Sequence, residues 1–337
     1  MGTASHERFT QSRYEGPADR ATFRYVPRVD VIRGHHNAPG WHQGAAVAIG
    51  NFDGVHRGHQ ALVQRAKQLA QAHAARTVAL TFDPHPSALL SPQGCPPVVC
   101  SLERRIELLA EAGADTVVVE PFTRELAGRS PEAFIDDVVL QALCAKAIVV
   151  GYDFNYGAGR AGTTDALRAQ GNRAGIEVDI VEAVKVDDEV ASSTRVRAHL
   201  KDGDVAGAAK LLGRRWDVDG VVVHGAKRGR AIGVPTANIT PEIPLPLRAG
   251  IYAVTLGVEG GPMQPAVASL GTNPTFVDGG GLVLEVHLLD FDGDLYGKRV
   301  RTAFAAHLRD EAKFDSVDAL IAQIKLDVQA ARRVLGS

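Results

Sequence analysis

The sequence predicts an α/β chain in two parts, a mostly parallel sheet with helices on both faces followed by a small antiparallel β-barrel with a terminal helix. Three observations predict it. Strand-like runs at 45–49, 78–82, 116–119, 147–150 and 178–181 alternate with helical stretches, the pattern of parallel β-α-β units. After Trp216 the chain turns β-rich and glycine-punctuated, with strand-like runs at 220–224, 251–256, 266–270, 282–289 and 298–304. A last helix is then announced by Ser316 as N-cap and an apolar stripe of Val317, Leu320, Ile321, Ile324 and Val328. The helical, Ala/Leu-rich stretch 201–215 marks the change, so the expected parts are an extension over 1–28, a first domain over 29–200 and a second over 201–337.

Size and composition set the bounds. With 337 residues, 45% of them hydrophobic and 23% charged, the chain can build about two cores. No apolar run approaches the ~18 residues of a membrane span, so no membrane partner is expected. A net charge of -2 gives no basic footprint for a nucleic-acid polymer, while small nucleotides remain allowed. Cys95, Cys100 and Cys144 are too few and too irregular for a disulfide framework or zinc ribbon, and read as reduced thiols of a cytoplasmic protein. The first 28 residues are polar, lack a secretory apolar region and read as a mobile extension. His35, His36 and His42 lie in Gly/Pro/Asn-rich sequence and read as solvated loop residues. The sequence leaves open whether copies assemble into a homo-oligomer.

In the first part, the run 45–49 ends in Gly50-Asn51-Phe52-Asp53-Gly54-Val55-His56-Arg57-Gly58-His59, and a helix carrying Leu62, Val63, Ala66, Leu69 and Ala70 on one face follows. A helix start offers unpaired N–H groups and a positive dipole to a phosphate, and Gly50, Gly54 and Gly58 let the backbone approach it. His56 and His59 add donors that can become cationic as negative charge develops. Two histidines three apart could also be a zinc pair. No Cys or carboxylate at ligand spacing accompanies them, which favours phosphate.

The next strand ends in Asp83-Pro84-His85-Pro86, whose prolines stiffen a turn and hold a carboxylate and an imidazole at the sheet edge. Ser130-Pro131-Glu132 opens a helix running to Leu143. After the fourth strand, residues 151–162 contain a literal G-x-G-x-x-G from Gly157, with Asp179 and Glu182 about twenty residues on. In a dinucleotide-binding unit the first glycine closes the strand directly, whereas here a polar aromatic segment from Tyr152 to Tyr156 intervenes. Ser192-Ser193-Thr194-Arg195-Val196-Arg197 then opens a helix. Its hydroxyls could simply cap that helix, or hold phosphate oxygens with Arg197 neutralising them.

In the second part the chemical stretch is 225–238, Gly225 through Gly229, Gly233, Pro235 and Thr236 to Asn238, with Lys227, Arg228 and Arg230 among them. It lacks G-x-x-x-x-G-K-[ST] and is no P-loop; a Thr hydroxyl and an Asn carbonyl two residues apart suit Mg²⁺ or its waters. Glu285 alternates with apolar Leu284 and Val286, so it is either a solvent-facing strand residue or a base aimed into a site. Arg309 could meet a ligand or be a surface residue.

These strings resemble, in order, the motifs of the prokaryotic bifunctional riboflavin kinase/FAD synthetase family. His56-Arg57-Gly58-His59 resembles the H-x-G-H signature of nucleotidyltransferases, Phe82 to Pro86 the F-[DE]-P-H-P segment, residues 151–162 the G-x-D-F-x-F-G loop, and Ser192 to Arg197 the S-S-T-x-[IV]-R motif. Gly233 to Asn238 resembles the kinase's G-x-P-T-A-N string; residues 271–276, 284–291 and 294–297 extend the match. Tyr156, Asn155 and Val234 depart from the usual Phe, Arg and Phe.

The resemblance implies a Rossmann-like nucleotidyltransferase domain that adenylylates FMN and a barrel that phosphorylates riboflavin. The substrates would be riboflavin, FMN and ATP, the product FAD, and the cofactor Mg²⁺ at Thr236 and Asn238. It further implies catalytic roles for Glu285, His56, His59 and Arg197. Nucleotide contacts would fall on Gly50, Phe52, Asp53, Gly54, Gly58, Ser192, Ser193, Thr194, Gly225, Arg228, Gly229, Gly233, Pro235, Thr236 and Asn238. Flavin contacts would fall on Asp83, His85, Asp153, Phe154, Tyr156, Arg160 and Arg309. Two rivals belong to other classes. A flavin-binding protein with degenerate sites should have lost His59, Thr236 or Glu285, and an NAD-linked oxidoreductase would use the glycines 157–162.

Overall fold

The computed structural model describes residues 29–91, 94–225, 233–272 and 282–336. The extension 1–28, Lys227, Arg228, Gly229 and the stretch 273–276 lie outside these described residues. The chain forms two compact units, one made of the described residues up to Pro96 together with Leu102–Ala191, the other of Pro97–Ser101 and the chain from Ser192 onward.

The first unit has the expected parallel α/β architecture. Its strands are β1 (Asp30–Arg33), β2 (Ala45–Ile49), β3 (Arg76–Asp83), β4 (Thr116–Pro121), β5 (Ala145–Gly151) and β6 (Glu177–Val181), in the order β1-β4-β3-β2-β5-β6. Every pairing is parallel. All five residues of β2 are buried, as a central strand covered on both faces requires, hence its continuous apolar run. Helix α1 (Arg57–Ala72) buries the predicted stripe of Leu62, Val63, Ala66, Leu69 and Ala70. Helices α2 (Pro86–Leu90), α3 (Leu102–Glu111) and α4 (Arg124–Ala127) follow.

Ser130 caps α5 (Pro131–Ala133), accepting from the Ala133 N–H at 3.1 Å, and the helix continues as a π-helical stretch over Phe134–Ala142. Helix α6 (Thr164–Ala174) precedes β6, and a short hairpin of β7 (Lys185–Val186) and β8 (Glu189–Val190) ends the unit. One expectation is corrected. His35 is not simply solvated, because its Nδ1 lies 2.8 Å from the carboxylate of Glu120, which is only 4% exposed.

The second unit opens with α7 (Ser193–Lys201) and α8 (Val205–Leu212). Then β9 (Trp216–Val223), β10 (Ala237–Pro241), β11 (Gly250–Val258), β12 (Gln264–Thr272), β13 (Leu282–Leu288) and β14 (Arg299–Arg309) close an antiparallel barrel in the order β10-β13-β12-β11-β14-β9. Trp216, Tyr252 and Phe304 fill it, all fully buried, with the Trp216 indole donating to the Val99 carbonyl at 2.8 Å. The Tyr252 hydroxyl donates to the Arg248 carbonyl at 2.6 Å, and burial pushes its pKa up to about 12.

Ser316 caps the terminal helix α9 (Val317–Leu335), accepting from the Ala319 N–H. The expected stripe is only half right. Val317 is 58% exposed and the rest of the stripe half-buried, while Asp327 is buried because it carries a paired Arg309.

Candidate active site

In the first unit, β2 pairs with β3 on one side and β5 on the other, and the chain runs outward from β2 to β4 before crossing back to β5. The connections leaving β2 and β5 therefore diverge, which opens a crevice beyond their carboxyl ends where α/β sheets bind ligands. The turn 50–59 leaves β2, the loop 151–162 leaves β5, and the Asp83 turn leaves β3 next to them.

The turn 50–59 is held in an unusual backbone. Phe52 (φ 52°) and Val55 (φ 42°) adopt left-handed conformations although neither is glycine, and a β-branched residue there is strained. Hydrogen bonds hold it: Gly50 N–H to the Leu80 carbonyl at 3.1 Å, Thr81 hydroxyl to the Asn51 carbonyl at 3.1 Å, and Gln60 amide to the Val55 carbonyl at 2.9 Å. Phe52, Asp53 and Val55 are all buried. Gly58 cannot be larger without cost, since a Cβ would meet the His56 ring at 3.1 Å and the Ala191 carbonyl at 3.3 Å.

The two histidines differ in role. His56 caps α1, its Nδ1 accepting from the His59 N–H at 3.4 Å, so in the neutral ring the proton sits on Nε2. The rings stack with centroids 3.6 Å apart, and Phe52 meets His59 edge-on at 5.2 Å. The Nδ1 of His59 is buried with no hydrogen-bond partner among the described residues. Burial, then the charges of His56 and Arg105, hold its pKa well below the ordinary value. His59 is therefore neutral at pH 7.

In the flanking loops, His85 caps α2 by accepting from the Ser87 N–H at 3.2 Å, and Asp83 is exposed. Phe154 and Tyr156 stack at 5.3 Å, and the buried Tyr156 hydroxyl has no partner among the described residues. Burial first, then Glu132, raises its pKa. Asp153 and Arg160 are exposed.

The G-x-G-x-x-G has a packing reason. A Cβ on Gly157, which sits at φ 70°, would lie 2.6 Å from the Pro131 nitrogen, and one on Gly162 would lie 2.7 Å from the Tyr156 ring. Asp179, which a dinucleotide ribose would need, accepts from Arg65 Nε at 2.6 Å.

In the second unit, Ser192 caps α7, accepting from the Arg195 N–H at 3.3 Å. Ser193 and Thr194 occupy the first turn, and Arg197 Nε donates to the Pro97 carbonyl at 2.8 Å. On the barrel, Asn238 of β10 stands directly across from Glu285 of β13, and Glu285 from Ser269 of β12. Ala237, Ile239, Leu284 and Val286 alternate with them and are buried, so Asn238 and Glu285 share the outer face of the barrel.

Gly225 leaves room for the Asn238 amide, whose nitrogen would be 2.1 Å from a Cβ there. His287 Nδ1 donates to the Pro235 carbonyl at 2.8 Å and ties β13 to the segment carrying Thr236; Gly233 turns at φ 78°. Arg309 is engaged elsewhere: its Nε and Nη2 donate to the Asp327 carboxylate at 2.9 and 2.7 Å, and Nη1 to the Asp310 carbonyl.

Sequence reasoning missed Arg105, Thr81, Gln60 and His287. Only Arg105 left a signal, as a charged residue at i+3 from Leu102 and i−4 from Leu109 on the apolar stripe of α3.

Comparison with known proteins bears on both halves. A family model described as FAD synthetase matches residues 39–195, and one described as riboflavin kinase matches residues 212–335. A bifunctional riboflavin kinase/FMN adenylyltransferase of Pseudomonas fluorescens is 37% identical over 307 residues, covering 90% of this chain and 97% of its own. The same-named protein of Escherichia coli K12 is 38% identical over 310 residues, covering 91% and 98%.

The crystal structure of a protein described as a macrolide-efflux protein from Streptococcus pneumoniae matches with TM-score 0.81 and 33% identity, covering 90% of this chain and 98% of that one. Among the described residues no helix is long and apolar enough to cross a membrane. Two consecutive family matches, with relatives aligned almost end to end, show that the chain belongs to the bifunctional riboflavin kinase/FMN adenylyltransferase family.

Proposed function

We propose that this protein phosphorylates riboflavin to FMN on its barrel and adenylylates FMN to FAD with its N-terminal motifs, consuming one ATP in each step. The observation that carries the reading is the pair of consecutive matches, FAD synthetase over 39–195 and riboflavin kinase over 212–335. The geometry supports it: the histidine turn sits at a topological switch point, and Glu285 stands across from Asn238.

In the kinase half, Glu285 accepts the proton of the riboflavin 5′-hydroxyl as that oxygen attacks the ATP γ-phosphate, and ADP leaves. Thr236 and Asn238 supply only hydroxyl and carbonyl oxygens, with a carboxylate beside them. That donor set fits Mg²⁺, which keeps several waters and shares substrate phosphates. When bound, the ion neutralises charge on the phosphates. Gly225 to Asn238 position the nucleotide, and His287 fixes the Pro235 backbone from the neighbouring strand.

In the transferase half, an FMN phosphate oxygen attacks the ATP α-phosphorus and pyrophosphate leaves. His56, its Nδ1 occupied by the His59 N–H, presents Nε2–H as a donor. His59, unpartnered at Nδ1 and neutral when free, gains a proton's stability once phosphate charge lies beside it. Ser193, Thr194 and Arg197 take the nucleotide phosphates, while Asp83, His85, Asp153, Phe154, Tyr156 and Arg160 receive the flavin. Arg309 supports the kinase half through Asp327, by fixing the last helix. The working compartment is the cytoplasm, in keeping with Cys95, Cys100 and Cys144 all being free.

Glu285→Gln tests the reading. It keeps shape and removes the base, so riboflavin phosphorylation should fall about 10²–10⁴-fold while added FMN still yields FAD. Phosphorylation at the parental rate would remove Glu285 from the mechanism.

A further inference from the structure

Arg105 on α3 is 3% exposed, and no carboxylate lies within ion-pair distance of it among the described residues. Its neighbour Arg104 shows the ordinary solution, pairing with Glu107 at 2.8 Å and Glu111 at 3.3 Å. Arg105 instead donates from Nη1 to the Phe82 carbonyl at 3.1 Å and reaches the Thr81 hydroxyl at 3.4 Å, while its Nε is buried without a partner. Thr81 passes the link on, its hydroxyl donating to the Asn51 carbonyl at 3.1 Å.

One guanidinium thus holds two roots: Phe82, from which the Asp83-Pro84-His85-Pro86 turn departs, and, through Thr81, the turn 50–59. A buried charge left without a counter-ion is costly, and an apolar side chain of similar volume is often as stable or more so. Stability therefore does not explain why an arginine occupies this position. An anion binding at the two turns would.

We propose that Arg105 is a positioning residue for adenylyl transfer, which sets the spacing of the two turns and lends them an uncompensated positive charge for the phosphates they receive. The proposal rests on the assignment of adenylyl transfer to the turn 50–59. The depressed pKa of His59, to which Arg105 contributes, agrees with a positive field at that turn.

The test uses the full chain supplied with FMN and Mg-ATP, with kcat and KM measured for FAD formation. Riboflavin phosphorylation and thermal melting are followed in the same preparations. Arg105→Met should lower FAD formation about 10- to 100-fold, as loss of positioning does, with phosphorylation unchanged and melting temperature kept or raised. Arg105→Lys, which keeps the charge but not the fork, should recover part of the loss. Thr81→Val, which cuts the link to Asn51 and leaves the charge, should show an intermediate loss.

Parental adenylylation by Arg105→Met would overturn the proposal. So would a fall in melting that accounts for the lost activity and that Arg105→Lys does not relieve. Should Arg105→Met not fold, parental rates in both Arg105→Lys and Thr81→Val would overturn it equally. If the parental chain makes no FAD, or His59→Ala makes it normally, the site assignment itself fails, and that outcome is distinguishable from the others.

Discussion

Replacing Gly225 by alanine should silence riboflavin phosphorylation without unfolding the barrel. The added Cβ would fall 2.1 Å from Nδ2, 2.4 Å from Cγ and 2.6 Å from Oδ1 of Asn238. Ordinary contact needs about 3.5 Å, so the amide must retreat by more than ~1 Å. The obstacle is the end of one half-buried side chain, not backbone, so that retreat should cost no more than about 1 kcal/mol of stability.

Asn238 is the direct cross-strand neighbour of Glu285, however, and a displacement of about 1 Å at a reacting site can cost about 10²-fold in rate. The assay measures initial rates of FMN formation from riboflavin and Mg-ATP, with FAD formation from added FMN as internal control and a thermal melt for the fold. The expected result is phosphorylation about a hundredfold slower, unchanged adenylylation and a melting temperature within a few degrees. Parental phosphorylation would show that the position of Asn238 does not matter and would refute the reasoning.

Further outcomes are expected. His59→Ala should lower FAD formation from FMN about a hundredfold, the ~3 kcal/mol typical of one lost charge-stabilising donor, and leave riboflavin phosphorylation intact; equal FAD rates would contradict it. Because the folded pKa of His59 lies below its unfolded value near 6.5, the unfolded chain binds a proton that the folded chain refuses as pH drops. This contribution to stability is complete above about pH 6.5 and is lost as pH falls towards the folded pKa. Melting curves at pH 7.5 and 5.5 should therefore show a smaller loss in His59→Gln than in the parent, and equal losses would count against a buried neutral imidazole. Gly157→Ala should lower stability, since the new methyl meets the Pro131 nitrogen at 2.6 Å and the residue must hold φ 70°; an unchanged melt would contradict that packing.

Much of this was legible because local rules and tertiary demands agree. The buried face of α1 is the stripe that 3.6-residue spacing gives, and β2 reads as a buried strand because it is one. Ser130 and Ser316 cap the helices they were expected to cap. β10 escaped because Ala-Asn-Ile-Thr-Pro carries polar residues at its outward positions and a proline at its end, leaving two buried residues to signal a strand. β1 is only four residues long and gains its place by pairing with β4, far away in sequence.

The terminal stripe misled because Asp327 is buried by an ion pair with Arg309, which helical periodicity cannot foresee. At the sites, sequence identified which residues to watch but not their states. The cap made by His56, the unpartnered Nδ1 of His59 and the adjacency of Asn238 and Glu285 follow from ring stacking and strand register, which arise only on folding.

The most direct measurement is to incubate the purified full chain with riboflavin, ATP and Mg²⁺ and to separate the flavins over time. FMN should appear first with one ADP per molecule, and FAD should follow with one pyrophosphate per molecule. Riboflavin left unchanged by folded, metal-replete protein would contradict the account, as would FMN that accumulates in excess ATP and never becomes FAD.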